Sequence, residues 1–241
     1  MATGTGDRGD TARLVELVVA DPPDAWTAAG FTVDDDAVRI GDVRIRLVGP
    51  VEGTTGIVRW ALTGLDGVGD DLDGLPTDVI DQPDLGGGRN DVTTPASAAR
   101  PPGDPTPHPN GVTGIDHVVV ATPDLDRTIG ALDTVGLRCR RIRNTTSNQT
   151  PMRQAFFRLG PVVLEVVGGD TGTGESAADV PAQWFGLALD VTDLDATAAH
   201  LGDGLGAVRP AVQEGRRIAT LRHRSLGLSV SLAAMDHHGD R

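Results

Sequence analysis

Short apolar runs, some continuous and some alternating with polar residues, recur along the chain, and stretches with helical spacing stand between them. "IDHVVVA" (115–121) and "WFGLALDV" (184–191) read as strands. After the first, Leu125, Ile129 and Leu132 make one stripe of a helix, with Thr122 as the expected N-cap, Pro123 at its first position and Gly136 at its C-terminal end. After the second, Leu194, Ala198 and Leu201 repeat that stripe behind a capping box of Thr192 and Asp195. Three strands then close each copy: "LRCRRIR", "RQAFFRLG" and "VVLEVVG" in the first, "AVRPAV", "RRIATLRH" and "LSVSLAA" in the second.

The copies agree in sequence as well as in pattern. Asp124, Leu125, Asp126 and Thr128 recur 69 residues later as Asp193, Leu194, Asp195 and Thr197, and Gly160 recurs 67 residues later as Gly227. Such a period marks a duplicated supersecondary unit, here βαβββ. A third, less regular copy occupies 14–49: a strand, a short helix opened by Asp21 and Pro22 and ended near Gly30, and strands over 31–34, 37–40 and 43–48. The triplet Asp34 to Asp36 reads as a solvated hairpin turn, since it lacks the glycine and distant glutamate of a calcium loop. "GIVRWALTGL" (56–65) begins as the first strand of a fourth copy whose remainder is lost. The fold class is α+β, built from tandem βαβββ modules.

Between Gly86 and Gly111 the text has no periodicity and is dense in Gly, Pro, Ser and Thr, which reads as a linker with a solvated His108. The expected organisation is therefore an N-terminal module over 1–85, a linker over 86–111, a module pair over 112–235 (112–170 and 182–235) and a tail over 236–241. His237 and His238 lie in that tail and read as solvated.

Charge narrows the partners. The chain carries 21 cationic residues, all arginine, against 34 acidic ones, a formal net charge of −13. Nucleic acids and anionic membranes both need a basic patch, so neither is an expected partner. Without lysine there is no Schiff-base chemistry and no phosphate-loop lysine. Cys139 is the single cysteine, which excludes a disulfide within the chain and reads as a small inward-facing apolar residue. No segment has the roughly 18 consecutive apolar residues of a membrane span, and the start lacks a signal-peptide pattern, so a cytoplasmic protein is expected.

Paired βαβββ modules, one opening with "DHVVVATPDLD" and closing with "GPVVLEVVG", resemble the vicinal oxygen chelate superfamily, which includes glyoxalase I, extradiol dioxygenases, methylmalonyl-CoA epimerase and bleomycin-resistance proteins. The resemblance covers about 112–235 well and about 12–65 weakly. It implies a cup formed by two modules and, in the metal-dependent members, one ligand from the first and one from the last strand of each. Matched here, the first module supplies His117 and Glu165, both on inward faces by period-two alternation. A carboxylate among valines is costly to bury without a cation or a hydrogen-bond partner. Imidazole with carboxylate suits a divalent Zn, Fe, Mn or Ni, and a metal-free His117–Glu165 hydrogen bond is the plainer alternative.

In the second module the matching positions are Gly186 and Ser231, which leaves the ligand set incomplete. Glu16, in the place of His117, and His223, at the end of "RRIATLRH", are the candidates to complete it, while Arg46, in the place of Glu165, would neutralise a carboxylate or pair with Glu16. Two function classes follow. The first is a protein that binds a small organic molecule in the cleft, as bleomycin-resistance members do without metal, with Ser231 among the ligand contacts. The second is a metal-dependent lyase, isomerase or dioxygenase in which His117 and Glu165 are ligands, Glu165 also serves as base, and Arg153 and Gln154 orient the substrate. A three-module chain has one module without a mate, so a homodimer is expected.

Overall fold

The computed structural model describes residues 11–65, 70–80, 107–147, 150–169 and 180–236. Its elements in order are β1 (Arg13–Val19), α1 (Pro23–Ala28), β2 (Ala37–Ile40), β3 (Val43–Leu47), β4 (Ile57–Thr63), β5 (Asp71–Leu72) and β6 (Leu75–Val79). These are followed by β7 (Val112–Thr122), α2 (Leu125–Thr134), β8 (Arg141–Ser147), β9 (Thr150–Leu159) and β10 (Val162–Gly169). The last module contains β11 (Gln183–Val191), α3 (Leu194–Leu201), β12 (Arg209–Pro210), β13 (Arg217–Thr220) and β14 (Ser231–Asp236).

Two mixed sheets result, with strand orders β2-β3-β1-β4-β6-β5 and β12-β13-β14-β11-β7-β10-β9-β8. In every module the first strand pairs in parallel with the last: β1 with β3, β4 with β6, β7 with β10 and β11 with β14. In each sheet the two first strands then pair antiparallel at the centre, β1 with β4 and β7 with β11. The N-terminal sheet is therefore a reduced version of the C-terminal one. The fourth copy is not lost after its first strand, because it keeps the hairpin β5–β6. Four modules pair two by two within one chain, which removes the unmated module that suggested a second copy.

The expected strand over 31–34 is absent. The amide of Thr32 donates to Nδ1 of His108 at 3.1 Å and its hydroxyl donates to the carbonyl of Pro107, so the end of the linker segment, not a sheet edge, satisfies this stretch. His108 is buried rather than solvated, and its Nε2 lies 3.0 Å from the carbonyl of Arg39. Because Nδ1 accepts, the ring is neutral with its proton on Nε2. Most of the linker, and the tail histidines 237 and 238, lie outside the described residues. Asp35 and Asp36 both take positive φ in the two-residue turn closed by the mutual backbone hydrogen bonds of Asp34 and Ala37.

Both helix caps sit later than the sequence pattern suggests. Asp124 caps α2 by accepting from the Arg127 amide, and Asp193 caps α3 by accepting from the amides of Asp195 and Ala196. Thr122 instead accepts from the Asp124 amide, holding the cap residue itself. Asp21 does not cap α1. It is buried, accepting from Trp26 Nε1 at 3.2 Å and from the amide of Ser229 at 2.7 Å, which ties the first module to the last.

A continuous apolar core joins the two sheets. Between the sheets the buried ring of Trp60 meets that of Trp184 edge to face, 4.9 Å apart, and Trp60 donates to Thr77 Oγ1 at 2.6 Å. The β5–β6 turn makes the second junction. Asp73, held at positive φ, accepts from Arg127 Nε at 2.7 Å and from the Thr128 hydroxyl, while its carbonyl takes the Ala182 amide at 2.8 Å. Arg127 also donates to the carbonyl of Val180. The N-terminal half thus holds residues 180–182 in place just before β11. Among the described residues no helix is long and apolar enough to cross a membrane.

Burial lowers the pKa of His108 below the ordinary value near 6.5, against the raising effect of its bond to the Arg39 carbonyl. A group whose folded-state pKa is depressed in this way favours the neutral form, so its contribution is complete above the unfolded value and is lost as pH falls through about 6.5 toward the folded value. Urea unfolding at a series of pH values is expected to show this decline in the wild type and a flatter profile in His108→Gln. The variant is also expected to be less stable by about 1 kcal/mol at neutral pH, through its weakened bonds to Thr32 and Arg39.

Candidate functional site

Strand β7 carries two extra residues against β11, Thr113 near its start and Asp116 beside the site. Its pairing with β11 runs from His117↔Ala188 directly to Ile115↔Leu189, so Asp116 is a β-bulge. Ile115 and Val118 both stay in the core, and the two residues between them, Asp116 and His117, both remain partly exposed. The bulge therefore puts an acid and a base side by side. Asp116 Oδ2 lies 2.6 Å from His117 Nδ1, and His117 Nε2 lies 3.5 Å from Glu165 Oε2 on β10.

The polar row continues in both directions. Glu165 Oε1 accepts from Gln154 Nε2 at 2.5 Å, and Gln154 Oε1 accepts from Arg143 at 2.6 and 2.9 Å. On the other side, Asp116 Oδ1 accepts from Arg216 NH1 and Asp190 Oδ1 accepts from NH2, each at 2.6 Å. The side chain of Arg216 is only 5% exposed. Burying it is tolerable because two carboxylates and the Asp236 carbonyl, at 2.7 Å from Nε, take its donors. The row crosses the sheet as Asp190, Arg216, Asp116, His117, Glu165, Gln154 and Arg143.

Burial works to raise the Asp116 pKa, but the hydrogen bonds and charges of His117 and Arg216 prevail and hold it down to about 2. Asp116 is then a carboxylate with no proton to give, so His117 Nδ1 must be the donor between them. Glu165 moves the opposite way. Burial raises its pKa, and the charges of His117 and Arg143 and the bond from Gln154 only partly offset this. His117 Nε2 and Glu165 Oε2 face each other at a separation longer than an ordinary hydrogen bond.

Beside this row lies a cavity of about 510 Å³. Val119, Ala121, Met152, Val167 and Phe185 give it apolar walls, and Gln154 belongs to both cavity and row. Val180 and Pro181, the segment fixed by Asp73 and Arg127, close one side. Phe185 is 63% exposed at the rim. It is itself a bulge in β11, where pairing steps from Trp184↔Val120 to Gly186↔Val119.

The structure brings His117, Glu165 and Gln154 together and leaves the other candidates elsewhere. Arg153 alternates with Gln154 and so faces the helix side, where it donates to Asp126 at 3.1 Å. Glu16 and Arg46 hold the places of His117 and Glu165 in the N-terminal sheet and form an ion pair at 3.0 Å, with Arg44 on the same carboxylate at 2.8 Å. Glu16 cannot join His117, because its module pairs with the fourth copy. The strand carrying His223 stops at Thr220, and His223 lines a separate polar recess with Arg224 and Ser231. Register also reassigns the match to Glu165: Glu165 pairs with Val119, and the equivalent pair in the second module is Ala233 with Ala188, so Ser231 corresponds to Val163.

The second module offers no metal ligand at the positions that match His117 and Glu165. A side chain at Gly186 would put Cβ 2.2 Å from the Ser231 carbonyl, and Ala233 has no donor. Among the described residues no three His, Cys, Asp or Glu side chains converge on a point that would hold an ion. His117 with Glu165 falls short of the three or four protein ligands that zinc takes, so the described residues of this site do not fit a metal centre. Asp116, Asp190, Arg143 and Arg216 escaped the sequence reading. The adjacent pairs Asp116–His117 and Arg216–Arg217 were visible, but not that a bulge brings Asp116 to the side of His117, nor which of the two arginines faces the cup.

Residues 116–220 match the sequence model of the family described as the Glyoxalase/Bleomycin resistance protein/Dioxygenase superfamily. Among solved structures, a mutant of 4-hydroxymandelate synthase from Streptomyces coelicolor is similar at 17% identity, over 97% of this chain and 94% of that one, with a TM-score of 0.56. A xylose isomerase-like TIM barrel/4-hydroxyphenylpyruvate dioxygenase fusion protein is similar at 12% identity over 95% of this chain and 49% of that one, with a TM-score of 0.58. Methylmalonyl-CoA epimerase from Mycobacterium tuberculosis shares 22% identity over 53% of this chain and 90% of its own, with a TM-score of 0.40. At these identities the similarity is one of fold. No curated protein matches the chain.

Two changes test the row. Asp116→Asn leaves a buried guanidinium with one carboxylate, and urea unfolding should show a loss of about 3 kcal/mol at neutral pH. Glu165→Gln should act in the other direction. A carboxyl with a raised folded-state pKa costs nothing below its ordinary value and progressively more as pH rises through the raised one, so the variant should equal or exceed the wild type at pH 7, with the difference gone by about pH 4.

Proposed function

Because its C-terminal half belongs to the Glyoxalase/Bleomycin resistance protein/Dioxygenase superfamily, we propose that this chain binds a small organic molecule in the cup of that half, without a metal. The observation that carries the reading is the apolar cavity of about 510 Å³ whose inner end opens onto Gln154, in contact with Glu165. Its size is that of ordinary small-molecule sites, and its lining follows their usual plan of apolar walls with a few convergent polar groups. The ligand that fits has an aromatic or branched aliphatic body against Val119, Met152, Val167 and Phe185. Its polar head reaches Gln154 and the gap between His117 and Glu165.

The same geometry supports a second reading. A histidine oriented by a carboxylate, facing a glutamate whose pKa is raised by burial, is an acid–base pair able to move a proton on a bound molecule. In that reading His117 and Glu165 are the catalytic residues, and Asp116 positions His117.

A thermal-shift screen of aromatic and branched aliphatic compounds against the full chain tests the binding reading. Ligands found in this way should lose at least about tenfold in affinity, or about 1.4 kcal/mol, in Ala121→Phe, which fills the cavity. They should keep their affinity in the presence of chelator. Binding unchanged in Ala121→Phe, or abolished by chelator in the wild type, contradicts the proposal. The catalytic reading adds that His117→Gln abolishes turnover of a ligand while leaving its binding within a few fold.

A further inference from the structure

The C-terminal sheet is two-fold pseudo-symmetric, and the two ends of its cup are filled differently. The repeat carries His117 onto Gly186, and strand register carries Glu165 onto Ala233. The same correspondence relates the cavity to the place of Arg216. Ala121 in the cavity corresponds to Asp190, Gly168 to Asp236, and the bulge residue Phe185 to the bulge residue Asp116. Met152 corresponds to Arg216, because Gln154 pairs with Val167 as Ile218 pairs with Met235. The outward-facing neighbours obey the same rule: Arg153 binds Asp126 on α2, and Arg217 binds Asp195 on α3.

One end of the cup is thus open, with Met152 as its wall. At the other, Arg216 lies across the equivalent space and has a partner for each guanidinium nitrogen: Asp116 on NH1, Asp190 on NH2 and the Asp236 carbonyl on Nε. We propose that this end is a receptor for a guanidinium ion, occupied in cis by Arg216, whose fixed positive charge anchors the carboxylate that orients His117. The planar fork of the guanidinium suits it to bridging two carboxylates, which an ammonium, with its compact point charge, does poorly. The open cavity is then the one of these two equivalent places that is left for a ligand. His117 is oriented by a carboxylate, Asp116, that is itself anchored to the resident cation.

The inference is independent of which ligand the cavity binds, and it is tested on the full chain by removing the occupant and offering it back. Arg216→Ala should melt below the wild type. Guanidinium chloride at low millimolar concentration should raise its melting temperature saturably, whereas the same concentration of sodium or tetramethylammonium chloride should not. The wild type, whose receptor is full, should show no such rise. Arg216→Lys keeps the charge and is the milder change. It should also melt below the wild type, since one ammonium does not bridge both carboxylates. Rescue of Arg216→Ala by manganese or zinc ions but not by guanidinium would make the place a metal site and overturn the proposal. So would the absence of any guanidinium effect, or a lysine variant as stable as the wild type. If Arg216→Ala is recovered only as aggregate, refolding yield with and without millimolar guanidinium gives the same decision.

Discussion

The parallel pairing of first and last strands within each module is the constraint on which the rest depends. It brings residues some 45 positions apart in sequence, such as Val119 and Glu165, to the same level of one sheet. Because β7 and β11 then meet antiparallel, the two modules present their concave sides to one shared cup. Side chains on that face meet across five strands, and a continuous polar row can form there. Its members come from β7, β8, β9, β10 and β11 and from the residue before β13.

Two one-residue bulges set the character of the row and the cavity. Equivalent in the repeat, Asp116 and Phe185 are each turned toward the cup by an extra residue in the central strands. One gives a carboxylate that orients His117 and holds Arg216. The other gives an aromatic rim to an apolar space. Bulges at equivalent places in the two repeats thus support opposite chemistry at the two ends of the cup.

The N-terminal half has the same plan with its site converted to packing. Where the C-terminal half has His117 and Glu165, it has Glu16 and Arg46 in an ion pair. Its shortened fourth module serves the other half directly. Through Asp73 it fixes Arg127, Thr128 and Ala182, and so holds the segment that walls the cavity.

Strand periodicity and the repeat were legible in the sequence because burial on one face of a strand or helix imposes its period locally. From these came the βαβββ modules and the strand faces carrying His117 and Glu165, and on those modules rested the resemblance to the family; which of Arg153 and Gln154 faces the cup did not come from them. Registers and bulges were not legible, since a one-residue slip changes no composition but moves a side chain to the other face. That is why Ser231 stood for Ala233, and why Asp116 passed unnoticed beside His117. Neither could the sequence say which of two adjacent arginines faces the helix layer and which the cup, or that His108 would be buried against Thr32 and Arg39. Those contacts join residues far apart in the chain. Only the tertiary structure, by fixing which strands are neighbours and at what register, decided that the second half of the cup is filled by Arg216 and that the first is open.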